Sequence, residues 1–209
     1  MEKSPAVRLK LEGEAIDKLA PHDKVLKDVV QVFEGHRVFT HSSVEDNLMA
    51  GAHIVPDVVT VRENIDQVYT FFPRLKERRT VEADYLLGGE RQMLAIGSAL
   101  MSNPKLIMLN ELSLGLAPLI IEEIVGIIQR MREEAGLTIL LLEQNANLAL
   151  SIADHRQVME NSSIVMEGPT RDLAENSDIW ELYLGIGETG SKPSYRDVKH
   201  YRRRKRWLS

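Results

Sequence analysis

Three short groups of residues carry the chemistry that this sequence offers. Gly88 and Gly89 come directly before a helical pattern. Backbone N–H groups at the positive end of such a helix form an anion site suited to a phosphate. Asn110 and Glu111 end an apolar run, and Gln144 follows the next one. In α/β proteins these positions lie at the ligand-binding edge of the sheet, where a carboxylate can meet Mg²⁺ or position water.

Each group also has an ordinary structural explanation when it is taken alone. A glycine pair before a helix is commonly a turn, and Glu111 fits the solvated end of a strand. Gln144 and Asn145 would serve equally well to cap the helix that follows them. The order and spacing of the three groups together favour a phosphate site over chance.

The elements that must position these residues form a βαβ pattern. Residues 106–109 are a continuous apolar run, which predicts a parallel strand covered on both faces. Residues 119–134 are amphipathic and predict a helix, which Gly136 is placed to end. Residues 138–142 predict a second buried strand. The crossover between the two strands is expected to be right-handed.

The rest of the chain predicts a sheet core with a helical subdomain at about 42–103. Ser42 and Glu45 have capping-box spacing before a helix at 47–52. Other predicted elements are strands at 7–11 and 29–33, helical turns at 21–28, helices at 61–72, 90–102, 146–153 and 172–183, and a hairpin of 157–159 with 164–166. The predicted fold class is α/β.

Charge divides the chain into an acidic body and a basic tail. Of the 209 residues, those from Ser191 onward carry a net charge of +7, whereas the whole chain is at −5. We therefore expect one domain at 1–186 and a separate tail at 187–209. No cysteine is present, which excludes disulfides and thiolate metal sites. No apolar run reaches the roughly 18 residues of a membrane span.

The same segments resemble the ATP-binding subunits of ABC transporters. Gly88, Gly89, Glu90 and the following residues to 97 resemble the signature loop and its helix, and 106–118 resemble the Walker B strand and D-loop. Residues 34–39, 113–118, 143–146 and 197–207 resemble, more narrowly, the subunits of branched-chain amino acid importers and related amide or urea importers.

This resemblance implies ATP hydrolysis coupled to amino acid import, with ATP and Mg²⁺ as cofactors. It implies transmembrane permease subunits and a second cassette as partners, on the cytoplasmic face of the inner membrane. Glu111 matches the catalytic glutamate, Gln144 stands at the switch position, and Glu34 at the Q-loop position. The implied cofactor-binding residues are Glu34, Leu87, Gly88, Gly89, Glu90, Asn110, Ser113 and Gly115. Asn110 and Glu34 are the implied metal ligands.

Three departures from the family pattern predict that this chain does not hydrolyse ATP alone. None of its 13 glycines is followed by lysine, so the Walker A loop is missing. Asn110 replaces the Walker B aspartate, and Leu87 replaces the signature serine. We expect an N-terminally truncated cassette that lacks the P-loop strand and helix. Since that strand is expected beside the Walker B strand, its loss predicts unpaired edges and uncovered apolar faces.

Two other functions stay open at this point. The chain could be a non-catalytic subunit that pairs with an intact cassette. Alternatively, the basic tail could bind nucleic acid or a membrane surface, with Tyr201 and Trp207 available to stack on bases. The acidic body opposes nucleic-acid binding.

Overall fold

The structure is a computed structural model that describes residues 10–170. It divides into two compact units, one ending at Asn145 and the other starting at Ala146. The elements of the first unit are β1 (Lys10–Leu11), β2 (Glu14–Ala15), α1 (Pro21–Val25), β3 (Val29–Val32), α2 (Val44–Gly51), α3 (Val58–Phe71), α4 (Pro73–Glu77), a 3-10 turn (Ala83–Tyr85), α5 (Gly88–Leu100), β4 (Leu106–Asn110), α6 (Pro118–Ala135) and β5 (Thr138–Leu142). Those of the second are α7 (Ala146–Ile152), β6 (His155–Glu160) and β7 (Ser163–Pro169).

A parallel sheet in the order β3–β4–β5 confirms the predicted α/β class. Ile107 and Leu109 on the central strand β4 are fully buried. Helix α5 packs against β3, and α6 packs against α3 and α5. Helix α6 buries the predicted apolar stripe at Ile124 and its neighbours, and it ends at Gly136 with φ +63°. Glycine adopts this left-handed conformation at little cost.

Strand β5 is much more exposed than predicted. Leu140 is 47% exposed and Leu142 is 48% exposed, whereas the sequence predicted a buried strand. The strand pairing around β4 also differs from the one expected. Strand β4, the strand we expected to be incomplete, is paired on both sides, and β3 and β5 are the outer strands of the described sheet. The outer strand β3, by contrast, buries Val29 and Val32, so the exposure of β5 reflects the lack of cover over the face that carries Leu140 and Leu142.

The helical segment between β3 and β4 holds together through caps and close helix contacts. The capping box before α2 uses Ser43 and Asp46, one residue later than the Ser42 and Glu45 predicted. The Ser42 carbonyl instead accepts a hydrogen bond from the backbone N–H of Ala83, which fixes where the helix can begin. Asp57 caps α3, and the hydrogen bond from the Thr60 backbone lowers the pKa of that carboxyl.

The described part of the second unit contains α7 and one antiparallel hairpin. The hairpin between β6 and β7 confirms the prediction made from the turn residues. Asn161 and Ser162 both have positive φ, at 46° and 61°, as a two-residue hairpin turn requires. The helix predicted at 172–183 and the basic tail at 187–209 lie outside the described residues.

Between residues 10 and 170, none of the helices combines the length and the apolar character that crossing a bilayer demands.

Candidate functional site

The carboxyl edge of the sheet gathers the polar residues that the sequence singled out. Parallel register aligns Leu109 with Val32 and Asn110 with Leu142, so the strands end at the same level. Glu34 therefore follows β3 at the edge where Asn110 ends β4. Glu34 is exposed, and Asn110 is half-buried.

Glu111 and Gln144, the two predicted catalytic residues, lie in direct contact. The Gln144 side-chain amide donates a hydrogen bond of 2.7 Å to a carboxylate oxygen of Glu111. The backbone N–H of Glu111 also donates to the carbonyl of Leu142, at 2.8 Å. Glu111 has φ +49°, a left-handed conformation uncommon outside glycine. The chain therefore turns sharply at Glu111 and presents its carboxylate to the residue after β5.

Glu143, to which the sequence analysis assigned no role, fixes the loop after β4. Its carboxylate accepts the backbone N–H of Ser113 at 2.9 Å and the Ser113 hydroxyl at 3.0 Å. Gly115 continues this loop with φ +72°. The signal available in the sequence was an acidic residue directly after a strand, one position before Gln144. Gln144 thus contacts Glu111, and Glu143 contacts Ser113, two residues further along the same loop. These contacts orient the loop that carries the predicted D-loop residues Ser113 and Gly115.

The predicted signature loop is built around Glu90. One Glu90 carboxylate oxygen accepts the backbone N–H of Leu87 at 3.0 Å, and the other lies 3.1 Å from Arg78 Nε. Glu90 is 6% exposed, so its charge is directed into the protein rather than towards a ligand. Leu87 stands at the N-cap with 71% of its surface exposed. Because leucine has no acceptor, only half of a capping box forms here.

The glycine pair at the start of α5 has a packing role that differs between the two positions. A Cβ atom at position 89 would lie 2.4 Å from Ile120 Cγ2, whereas one at position 88 would lie 3.7 Å from Leu116. Gly89 is thus required for the approach of α5 to the start of α6. Packing does not require glycine at position 88 in the same way, because the added Cβ would make only an ordinary contact.

A second contact that the sequence analysis missed joins the Glu34 segment to the signature helix. His36 Nδ1 lies 2.5 Å from Oε1 of Gln92, which is buried on α5. His36 has φ +51°, so the turn after Glu34 is tightly wound. The predicted Q-loop segment and the predicted signature helix are therefore linked through one hydrogen bond.

The donor set at this edge does not make a metal site by itself. Within residues 10–170, no group of three or more His, Asp or Glu side chains is arranged to hold a metal ion. Asn110 brings an amide oxygen in place of a carboxylate, and one oxygen of Glu111 already accepts from Gln144. Mg²⁺ prefers carboxylates together with phosphate oxygens. The metal-ligand role of Asn110 and Glu34 stays a prediction.

Comparison with known proteins identifies the family of this chain. Residues 2–113 match the ABC transporter family model. The chain is 46% identical, over 85% of its length and 75% of the relative's, to the high-affinity branched-chain amino acid transport ATP-binding protein BraG of Pseudomonas aeruginosa. It is 34% identical, over 84% of its length and 74% of the relative's, to the probable branched-chain amino acid transport ATP-binding protein LivF of Archaeoglobus fulgidus.

Solved structures agree on the fold. The ADP conformation of MJ1267, an ATP-binding cassette of an ABC transporter, superposes with a TM-score of 0.71 at 24% identity, covering 86% of this chain and 77% of that one. Together with the signature, Walker B and D-loop segments described above, the family match leaves one assignment. The chain belongs to the ABC transporter family of ATP-binding proteins, alongside the branched-chain amino acid transport subunits.

Proposed function

We propose that this protein is a degenerate ATP-binding subunit of the branched-chain amino acid import type, and that the 209-residue chain does not hydrolyse ATP by itself. The observation that carries this proposal is the lack of any Gly-Lys step in the 209 residues. The Walker A lysine and its neighbouring amides provide most of the grip on the β- and γ-phosphates.

The amide of Asn110 weakens the site further. An aspartate at this position would place a full negative charge near Mg²⁺. At about 4 Å and an effective dielectric near 20, that interaction is on the order of 4 kcal/mol per unit of ion charge, before desolvation is subtracted. The amide oxygen supplies only a dipole. Even with nucleotide present, metal retention is expected to be poor.

The predicted catalytic residues Glu111 and Gln144 still lie in contact with each other. This contact favours descent from an active enzyme. In an intact site, Mg²⁺ would neutralise charge on the transferred phosphate. Glu111 would position a water molecule there, and the Gln144 amide donates a 2.7 Å hydrogen bond to its carboxylate. Ser113 is held by Glu143 at the start of the predicted D-loop.

We further propose permease subunits as partners, on the cytoplasmic face of the inner membrane. A cavity of about 240 Å³ lies between β3, helices α2 and α5, and the segment that follows β3. Phe33, Arg37 and Phe39 line it, and Phe39 is 66% exposed. The family resemblance supports a contact with the membrane subunit at this segment. Branched-chain or similar amino acids are the proposed transported class, as in the relatives' names.

An ATPase assay on the purified 209-residue chain tests the proposal. We expect no phosphate release above the background of a Glu111→Gln control, and no Mg²⁺-dependent nucleotide binding by calorimetry. A rate above background that the Glu111→Gln substitution abolishes would overturn the proposal.

A second candidate is a non-catalytic subunit that pairs with an intact cassette. Three leucines near the predicted signature and D-loop segments are exposed: Leu87, Leu114 and Leu119 at 71%, 51% and 77%. Exposed apolar side chains of this kind favour a partner that covers this surface. Because Leu87 lacks the signature hydroxyl, the partner's ATPase should rise with the Leu87→Ser variant if this pairing occurs. Failure of an intact cassette to co-purify with the chain excludes this candidate.

A further inference from the structure

The segment between β3 and α2 is tied to α5 through His36. Its Nδ1 atom lies 2.5 Å from Oε1 of Gln92, which is 3% exposed on α5. Since an amide oxygen only accepts hydrogen bonds, Nδ1 carries the proton and donates it. His36 has φ +51°, a left-handed conformation in which histidine and asparagine are enriched over most other residues. One end of the segment 36–39 is thus anchored on α5.

The other end of the segment 36–39 is held by Asn47 on α2. The Asn47 side-chain oxygen accepts the backbone N–H of Phe39 at 2.7 Å, and its NH₂ group donates to the Phe39 carbonyl at 2.9 Å. The same NH₂ group donates to the Ser43 carbonyl, also at 2.9 Å. Asn47 is only 2% exposed, so water does not compete for these bonds. A buried amide that satisfies both backbone groups of Phe39 fixes the path of the chain there.

Helices α2 and α5 form a close pair that joins the two anchor points. The Ser98 hydroxyl on α5 donates to the backbone carbonyl of Asn47 at 2.8 Å. A Cβ atom at Gly51 on α2 would lie 2.0 Å from the Ser98 carbonyl oxygen, so the two helix backbones leave no space between them. Both ends of the segment 36–39 are therefore connected to α5, one directly and the other through α2.

Between its two anchor points, the segment forms one wall of the cavity of about 240 Å³. Arg37 and Phe39 line this cavity together with Phe33, and the Arg37 guanidinium lies 5.3 Å from the centroid of the Phe33 ring, within cation–π range. Gln92, at the other end of the connection, lies four residues after Gly88, about one helical turn from the predicted signature glycines. The cavity wall and the start of α5 are therefore parts of one connected unit.

We propose that His36 is a positioning residue: its hydrogen bond to Gln92 makes the cavity wall and the start of α5 respond together to a partner seated in the cavity. This inference rests on the proposed function, because the permease contact and the signature role are proposed there. The bond joins positions 56 residues apart in the sequence. A partner that displaces the cavity wall would thus act on the signature glycines through a single pair of side chains.

Hydrogen exchange of the full chain, read by mass spectrometry, tests this coupling from both sides. Gln92→Leu removes the acceptor and keeps a buried side chain of similar size. We expect it to accelerate exchange in residues 34–39 about fivefold, as the loss of one hydrogen bond predicts. His36→Gly keeps the positive φ and removes the donor, and we expect it to accelerate exchange in residues 88–94 at least about twofold. A purely local role of His36 would leave residues 88–94 unchanged.

Two variants serve as controls. Gln67→Leu, which makes the same change at an exposed position of α3, should leave exchange in both segments as it is. His36→Asn should also preserve native exchange in both, because the asparagine amide donates from nearly the same place as Nδ1 and tolerates a positive φ.

Nitrogen NMR of the imidazole provides an independent readout. We expect the Nδ1–H tautomer for His36 in the native chain and its loss in Gln92→Leu, since the partner of one ring nitrogen sets the tautomer. The Nε2–H tautomer in the native chain, native exchange at 34–39 in Gln92→Leu, or native exchange at 88–94 in His36→Gly would each overturn the proposal. ATP hydrolysis by the chain would overturn the proposed function and leave these three results as they are.

Discussion

Consecutive residues after β5 hold the loop that carries the catalytic candidate. Gln144 contacts Glu111, and Glu143 accepts two hydrogen bonds from Ser113. Hydrogen bonds to a charged acceptor are stronger than neutral ones, and two donors on one carboxylate restrict its rotation. Glu143 thus restrains the loop that begins at Glu111.

A double-mutant cycle measures this restraint. We expect Glu143→Ala and Ser113→Ala to destabilise the chain non-additively, with a coupling of about 1 kcal/mol for the hydroxyl bond. Urea unfolding of the four proteins provides the measurement. Ser102→Ala, before β4 and away from this edge, is the control partner and should combine additively with Glu143→Ala. A coupling near zero for Ser113 would mean that solvent replaces the bond without loss.

The two signature glycines should respond differently to the same added methyl group. Gly89→Ala is expected to cost about 1–3 kcal/mol, because the new Cβ would collide with the branched side chain of Ile120. Gly88→Ala should be neutral or slightly stabilising, since its Cβ would make an ordinary contact with Leu116. Thermal unfolding of both variants checks this, and Ile120→Ala should relieve the Gly89→Ala defect. Equal effects at the two positions would contradict the packing explanation.

At the scale of the elements, helix starts are set by which side chain reaches the free N–H groups. Ser43 Oγ accepts from the Asp46 N–H at 3.0 Å, and Asp46 accepts in return from the Ser43 backbone. Ser42 and Glu45 have the same spacing in the sequence. The backbone contacts of Ser42 and Glu45 with Ala83 and Arg79 decide between the two possibilities.

Alanine substitution at the two serines separates these alternatives. Ser43→Ala should lower the free energy of unfolding by about 1 kcal/mol, the usual loss for an N-cap hydroxyl. Ser42→Ala should change it much less, because its carbonyl, which the substitution keeps, makes the bond to Ala83. Chemical denaturation of both variants measures the difference, and a larger loss at Ser42 would contradict the observed cap.

At the scale of the whole molecule, the sheet is less covered than parallel sheets usually are. Parallel strands are normally buried on both faces, whereas Leu140 and Leu142 remain about half exposed. Exposed apolar surface of this kind promotes association, especially when heating loosens the fold.

We therefore expect the isolated chain to melt irreversibly. Repeated calorimetric scans should recover little of the first transition, because unfolded chains associate through the β5 segment. Leu140→Lys should recover more of the signal than the control variant Leu26→Lys, which changes a 64% exposed leucine on the loop after α1. A sharp transition that repeats fully on rescanning, with the native sequence as a monomer, would show that the exposed strand has no such consequence.

The sequence by itself determined the elements and the family. Strands β3, β4 and β5, helix α6 with its glycine end, and the hairpin turn at Asn161 follow from local patterns, and the signature and Walker B segments identify the family. These features depend on residues close together in the chain: side-chain periodicity, caps and turn residues act over a few positions, so one sequence suffices to predict them.

Tertiary structure alone decided which surfaces are covered and which residues support the site. The exposed face of β5, the contact of Gly89 with Ile120, the carboxylate of Glu143 on Ser113 and the bond from His36 to Gln92 all join positions distant in sequence. The sequence of an apolar run is the same whether or not a neighbouring strand covers it. Its burial depends on the elements packed around it and not on the run itself.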